Sequence, residues 1–161
     1  MLQVYCSEGQ AMPTHRDLLI VLADGEHARF VRRAESGALH SERTVDSAYA
    51  HQRAAELASD RPGASFHTGS TAHHGVAPRE DPKVARKEEF AAVVAREIDA
   101  VSEAGGFDAL VLAAPSHVLN EIWARLDGVT CAKIVGTLRK DLVKTPDDEL
   151  ASHVGAWLKR R

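Results

Sequence analysis

Two short, unbroken apolar runs, Leu18–Ala23 and Ala109–Ala113, constrain the fold of this chain more than any other feature in it. Each is too short for a typical helix and lacks the apolar–polar alternation of a half-exposed strand. Each therefore reads as a strand buried on both faces. A strand buried on both faces needs a covering layer above and below it, which is the arrangement of an α/β domain.

The residues between and around the two runs supply the rest. Asp24-Gly25 predicts a tight hairpin through residues that tolerate positive φ. Residues 27–33 form the returning strand with Ala28 and Phe30 on one face, and after Ser36-Gly37 residues 39–45 read as a polar edge strand. Ala-rich residues 47–58 predict a short helix, and 59–82 a long breaker-rich loop with Pro62, Gly63, Gly69, Gly75 and Pro78. Asp81-Pro82 opens a second helix, because proline fits the first helical position. Its apolar residues Phe90, Ala91, Val94, Ile98 and Val101 recur at helical spacing until Gly105-Gly106 stops it.

Beyond the second run, Pro115 stops the strand and Ser116 is the expected cap of a helix carrying Val118, Leu119, Ile122, Trp123 and Leu126. Gly128 is expected to end that helix, and residues 131–138 to form the last strand. Thr145-Pro146-Asp147-Asp148 resembles a capping box for a closing helix that turns Leu150, Val154, Trp157 and Leu158 inward. The order is a three-stranded meander followed by β–α–β units. It predicts one α/β domain over 16–161 with a mixed five-stranded sheet and flanking helices, a flexible tail at 1–15 and a loop at 59–82. A ribonuclease H-like arrangement satisfies this order.

Composition narrows the class. Of the 161 residues 44% are apolar and 27% charged, ordinary for a globular chain, but aromatics are only 5%, so Ala, Val, Leu and Ile must build the core. A formal charge of −3 gives no domain-wide basic field for nucleic acid. Two cysteines far apart argue against a disulfide framework or a thiolate zinc site. Residues 1–10 lack the basic start and apolar stretch of a signal peptide, and the longest apolar run falls far short of the roughly 20 residues that cross a bilayer. A cytoplasmic protein without a membrane span is expected.

Nuclease chemistry would need carboxylates converging on two metal ions about 4 Å apart. Asp24 follows the first buried strand, but the strand parallel to it ends in Ala113-Ala114-Pro115, and Asp108 falls at the opposite edge. Asp24 reads better as a turn residue. His67, His73 and His74 could bind a transition metal, yet their spacing puts them on no common face, so neither a metal nor a cofactor is expected. A solvated loop and a binding loop both remain open there, since loops this long in compact domains are often functional. Asp60-Arg61-Pro62-Gly63 is either a recognition element or a structural turn. Arg29, Arg32, Arg33 and Arg43, with Arg139, Lys140 and Lys144, suggest either an RNA-phosphate patch or a salt-bridged surface. A nucleophile elbow, a P-loop and a dinucleotide glycine pattern are all missing from the sequence.

Several segments in order carry a resemblance: Val21-Leu22-Ala23-Asp24-Gly25 with Ala28-Arg29-Phe30, then Ser59-Asp60-Arg61-Pro62-Gly63-Ala64-Ser65-Phe66, then Glu80-Asp81-Pro82-Lys83 with Phe90. Residues 106–115, from Gly106-Phe107-Asp108 to Ala114-Pro115, and Lys140-Asp141-Leu142 complete the series. Together they resemble the bacterial host-attachment protein family across nearly the whole chain. The layout is also similar, more distantly, to the middle domain of archaeal and eukaryotic release factors and of pelota, where a Gly-Gly-Gln loop carries peptide release. Here Gly105-Gly106 is followed by Phe107, so that activity is not implied. The family resemblance implies a non-catalytic binding or regulatory protein acting indirectly in attachment to host cells, with an unidentified macromolecular partner. The alternatives are a ribosome- or RNA-associated factor and a metal-dependent hydrolase. The candidate binding residues are Asp60, Arg61, Gly63, Ser65, His67, His73 and His74 in the loop, and Arg29, Arg33 and Lys140 in the basic patch.

Overall fold

The computed structural model describes residues 17–59 and 81–159. The expected tail at 1–15 and nearly all of the expected loop at 59–82 lie outside those residues. The elements run β1 (Leu18–Ala23), β2 (His27–Arg33), β3 (Leu39–Asp46), α1 (Ala48–Ser59), α2 (Pro82–Glu103), β4 (Ala109–Ala113), α3 (Ser116–Arg125), α4 (Gly128–Ala132), β5 (Ile134–Leu138) and α5 (Asp147–Leu158). They form the single α/β domain expected, on a mixed sheet of five strands in the order β3-β2-β1-β4-β5. The meander β1-β2-β3 is antiparallel, whereas β1, β4 and β5 are parallel neighbours.

Strand alternation sorts the core into two layers. Leu19, Val21 and Ala23 of β1 and Leu110 and Leu112 of β4 face Phe90, Ala91, Val94 and Ile98 of α2 and Val118, Leu119 and Ile122 of α3. Ile20, Leu22, Val111 and Ala113 point the other way, onto Leu142, Val143 and the Leu150 and Val154 side chains of α5. The steps from β1 to β4 and from β4 to β5 advance in one direction across the sheet. Crossovers of one hand must then lie on one face, which is where α2 and α3 sit. The opposite face is left for α5.

Local chemistry sets the ends of α2. The Asp81 carboxylate accepts the Lys83 amide at 3.0 Å and Pro82 occupies the first turn. At the far end Gly105 takes φ 69°, the Gly106 amide donates to Val101 O at 2.9 Å and the Gly105 amide to Ser102 O at 3.0 Å. This paired closure needs the left-handed residue that glycine supplies.

Five local expectations are corrected. Gly25 is not in the left-handed region, and its lack of a side chain serves close approach instead, because a Cβ there would come within 2.6 Å of Lys87 Cγ. Pro115, not Ser116, precedes the first turn of α3, with no side-chain cap. Gly128 does not end that helix but opens the separate short helix α4, capped by Asp127 accepting the Thr130 amide at 2.6 Å. The last strand therefore begins at Ile134 rather than at 131, since residues 128–132 are helical.

The fifth correction concerns the start of α5, where Pro146 is the cap residue without a side-chain bond and Asp147 faces the sheet. Asp147 accepts the Ser41 amide at 2.8 Å and the Ser41 hydroxyl at 2.9 Å, and it pairs with Arg29. Arg29 Nη1 donates onward to Val143 O at 2.5 Å and Thr145 O at 2.7 Å. One guanidinium thus fastens β2, β3 and the approach to α5.

Three variants test this packing. Arg29→Met should cost about 2–4 kcal/mol in chemical denaturation, since it takes a donor from two carbonyls and the charge partner from a half-buried carboxylate. Burial pushes the Asp147 carboxyl up, but the bonds from Ser41 and then the charge of Arg29 outweigh it and hold the group below its usual range. A carboxyl depressed on folding stabilises the fold above its unfolded value, about 3.9, and that contribution fades as pH falls through the lower folded value. Asp147→Asn should therefore lower stability at neutral pH and flatten its decline below about pH 5; equal declines in the two proteins would contradict the account. The third rests on Gly136, where a Cβ would fall inside the Trp157 indole, whose Nε1 donates to Val135 O at 3.1 Å. Gly136→Ala should displace the indole at a cost of about 1–3 kcal/mol. In a Trp123→Phe background this would register as a red shift in the remaining tryptophan emission.

Candidate functional site

Because β1, β4 and β5 are parallel, their carboxyl ends share one edge of the sheet, joined there by the start of β2 and the end of β3. In open α/β sheets ligands gather at that edge. Asp24 stands on it, at the end of β1. Its Oδ1 accepts the Glu26 amide at 2.6 Å and the His27 amide at 2.7 Å, so the carboxylate holds the β1–β2 turn. Beside it His27 Nδ1 meets Asp46 Oδ1 at 2.8 Å across β2 and β3. The neighbouring end of β4 offers only the buried methyls of Ala113 and Ala114. Among the described residues no group of three or more His, Cys, Asp or Glu side chains could hold a metal ion.

Next to this edge a cleft of about 370 Å³ opens between the first turn of α1 and the first turns of α2. Phe90 and Val93 line its apolar side, Ser47 and Tyr49 the α1 side, and Gly25 the turn. Helix α1 is attached mainly through its beginning. The Ser47 amide donates to Glu26 O at 2.7 Å, and Arg53 pairs with Glu26 Oε2 at 2.9 Å. Tyr49 lies between two cations, with the Arg86 guanidinium 4.0 Å and the Arg53 guanidinium 5.4 Å from the ring centroid. Beyond this turn α1 stands away from the core. Ala50 is its one buried residue among those described, and Leu57 is 78% exposed.

The cleft was not singled out in the sequence, although one signal was there. Lys83, Arg86 and Lys87 follow the Asp81-Pro82 helix start at positions i, i+3 and i+4, a spacing that shares one helical face. Tyr49 gave no comparable sign, since its partners come from α2.

The residues named in the sequence fall elsewhere. Asp60, Arg61, Gly63, Ser65, His67, His73 and His74 lie outside the described residues. Arg29 is committed to the internal bonds given above, and its side chain is 15% exposed. Arg33 donates to Leu158 O at 3.3 Å at the end of β2, whereas Lys140 follows β5 at the opposite edge of the sheet. The fold therefore does not gather Arg29, Arg33 and Lys140 into one patch. Two further arginines of the early strands are also paired, Arg32 with Glu42 at 2.6 Å and Arg43 with Glu97 at 2.7 Å. A second groove of about 700 Å³ passes Arg29, Lys144 and Asp148 on the α5 side. Of its two cations, Arg29 is already neutralised by Asp147.

No curated protein matches the chain. The solved structures similar to it include the crystal structure of an archaeal translation termination factor, with 10% identity and a TM-score of 0.43 over 88% of this chain and 39% of that one. The chain thus spans well under half the length of that structure. A family profile described as a protein required for attachment to host cells matches residues 19–154, from β1 into α5, and the chain belongs to that family.

Proposed function

We propose that this member of the host-attachment family works by binding and not by catalysis, and that its part in attachment is indirect, exerted from the cytoplasm on a macromolecular partner. The observation that carries the proposal is α1. A helix of 12 residues in which Ala50 is the one buried residue among those described, with Leu57 turned to solvent, gains little from packing on its own domain. Contact with a partner gives that surface a use. The non-catalytic half draws on Asp24, whose carboxylate is occupied by turn amides, and on the alanines that end β4. For the metal-dependent hydrolase, a second carboxylate would have to converge with Asp24, and the end of β4 supplies none.

The partner-facing region in this proposal is α1, the segment 60–74 and the adjoining start of α2. Ribosome or RNA contact is the second reading, favoured by Lys83, Arg86 and Lys87, which have no acidic partner among the described residues. Sedimentation of cell extracts tests it, because phosphate contacts must weaken as salt is raised. Absence from the ribosomal fraction at low salt, in growing and starved cells alike, would rule it out.

Replacing Arg61, His67, His73 and His74 together by Ala should leave the thermal midpoint nearly unchanged while weakening partner capture by the intact protein. Capture from wild-type extract should also change between pH 6 and 7.5, where free imidazole near 6.5 changes charge. An unfolded quadruple variant would make the segment structural, and undiminished capture would place the contact elsewhere. Fractionation that finds the native protein mainly on the intact cell surface would overturn the cytoplasmic assignment.

A further inference from the structure

The cleft between α1 and α2 has an electrostatic character that the chain as a whole lacks. The protein carries a formal charge of −3, yet four of the side chains lining this cleft are Arg53, Lys83, Arg86 and Lys87. Its acids are largely spoken for: Glu26 pairs with Arg53, and Asp46 with His27. Asp81, just outside, caps the helix through the Lys83 amide. Glu89 alone remains against Lys83, Arg86 and Lys87, which carry no ion pair among the described residues. Two of these cations are held in place. The stem of Lys87 lies over the backbone of Gly25, close enough that a Cβ there would clash, and the Arg86 guanidinium is stacked 4.0 Å from the Tyr49 ring centroid. Positioned cations lose less freedom on binding an anion than free ones do.

Volume and lining indicate more than a bare ion. About 370 Å³ falls within the range of small-molecule sites, and Phe90, Val93 and Ala48 give the cleft an apolar side opposite the cations. A phosphate group satisfies several nitrogen donors at once, and an attached organic body would cover the apolar side. The positive ends of α1 and α2 flank the same space and add to the field.

We propose that this cleft binds a phosphate ester, its phosphate held by Lys83, Arg86 and Lys87 and its organic part set against Val93 and Phe90. The site rests on the binding function proposed above and gives it a ligand class. Two sources share the chemistry, a free nucleotide and the phosphate–base unit of single-stranded RNA.

The test is calorimetric titration of the full chain with adenosine 5′-monophosphate, inorganic phosphate, adenosine and a ten-nucleotide oligouridylate. Saturable binding of the monophosphate, weaker binding of inorganic phosphate and none of adenosine are expected. Lys83→Ala/Lys87→Ala, at two exposed positions, should weaken it about tenfold or more with an unchanged thermal midpoint. Lys159→Ala, at the end of α5 and away from the cleft, should leave it intact. Tighter binding of the oligouridylate that is lost in the same double variant would support the site and assign RNA as its source. No saturable binding of either nucleotide probe, or binding that the Lys83/Lys87 variant leaves unchanged, would overturn the proposal. Partner capture by the wild-type protein separates the two claims: capture by a protein that binds neither nucleotide probe would sink the ligand and leave the binding function standing.

Discussion

The pairing of β1 with β4 is the constraint on which the rest of the molecule depends. Both strands are apolar on both faces, and their parallel register from Leu18–Ala109 to Leu22–Ala113 cannot be closed by a tight turn. Apolar side chains on two sides require two covering layers, and a parallel pair requires a long crossover. Those demands account for α2 and α3 above the sheet and α5 below it. They also place the carboxyl ends of three strands on one edge, and so the β1–β2 turn beside the cleft.

The two covering layers are secured differently. On the α2 side the contact is almost wholly apolar, from Phe90 through Ile98 to the buried Phe107, and its strength scales with area. On the α5 side a smaller apolar patch is supplemented by Arg29, whose bonds to Asp147, Val143 O and Thr145 O tie the closing helix to the meander. An arginine in the middle of a strand thus reads as a surface charge in one dimension and as a fastening in three. Helix α1 buries only Ala50 among its described residues and is tied to the β1–β2 turn through Arg53 and Glu26.

Much of the architecture was legible in the chain. The runs Leu18–Ala23 and Ala109–Ala113 announced central strands, and Asp81-Pro82 and Gly105-Gly106 marked the ends of α2, because capping and burial act over a few residues. Less visible was the segment after α3. Residues 128–132 form a helical turn stabilised by the Asp127 cap, yet Val129 and Thr130 carry the β-branched character of a strand. Trp123, on an apparently apolar stripe, is 43% exposed, since α3 turns Val118, Leu119 and Ile122 inward and leaves the indole at the margin.

The sequence by itself determined the strands, the long helix, the fold class and the family, since apolar periodicity, caps and signature segments are properties of neighbours along the chain. The assembly of the site was decided only in three dimensions. Lys83, Arg86 and Lys87 are a helical row in the sequence and become one side of a cleft only where Gly25 and Tyr49 meet them. Arg29, Arg33 and Lys140 look like one basic group by composition and are parted by strand direction and sheet order. Charges act through distances in space, and those distances exist only once the strands have paired.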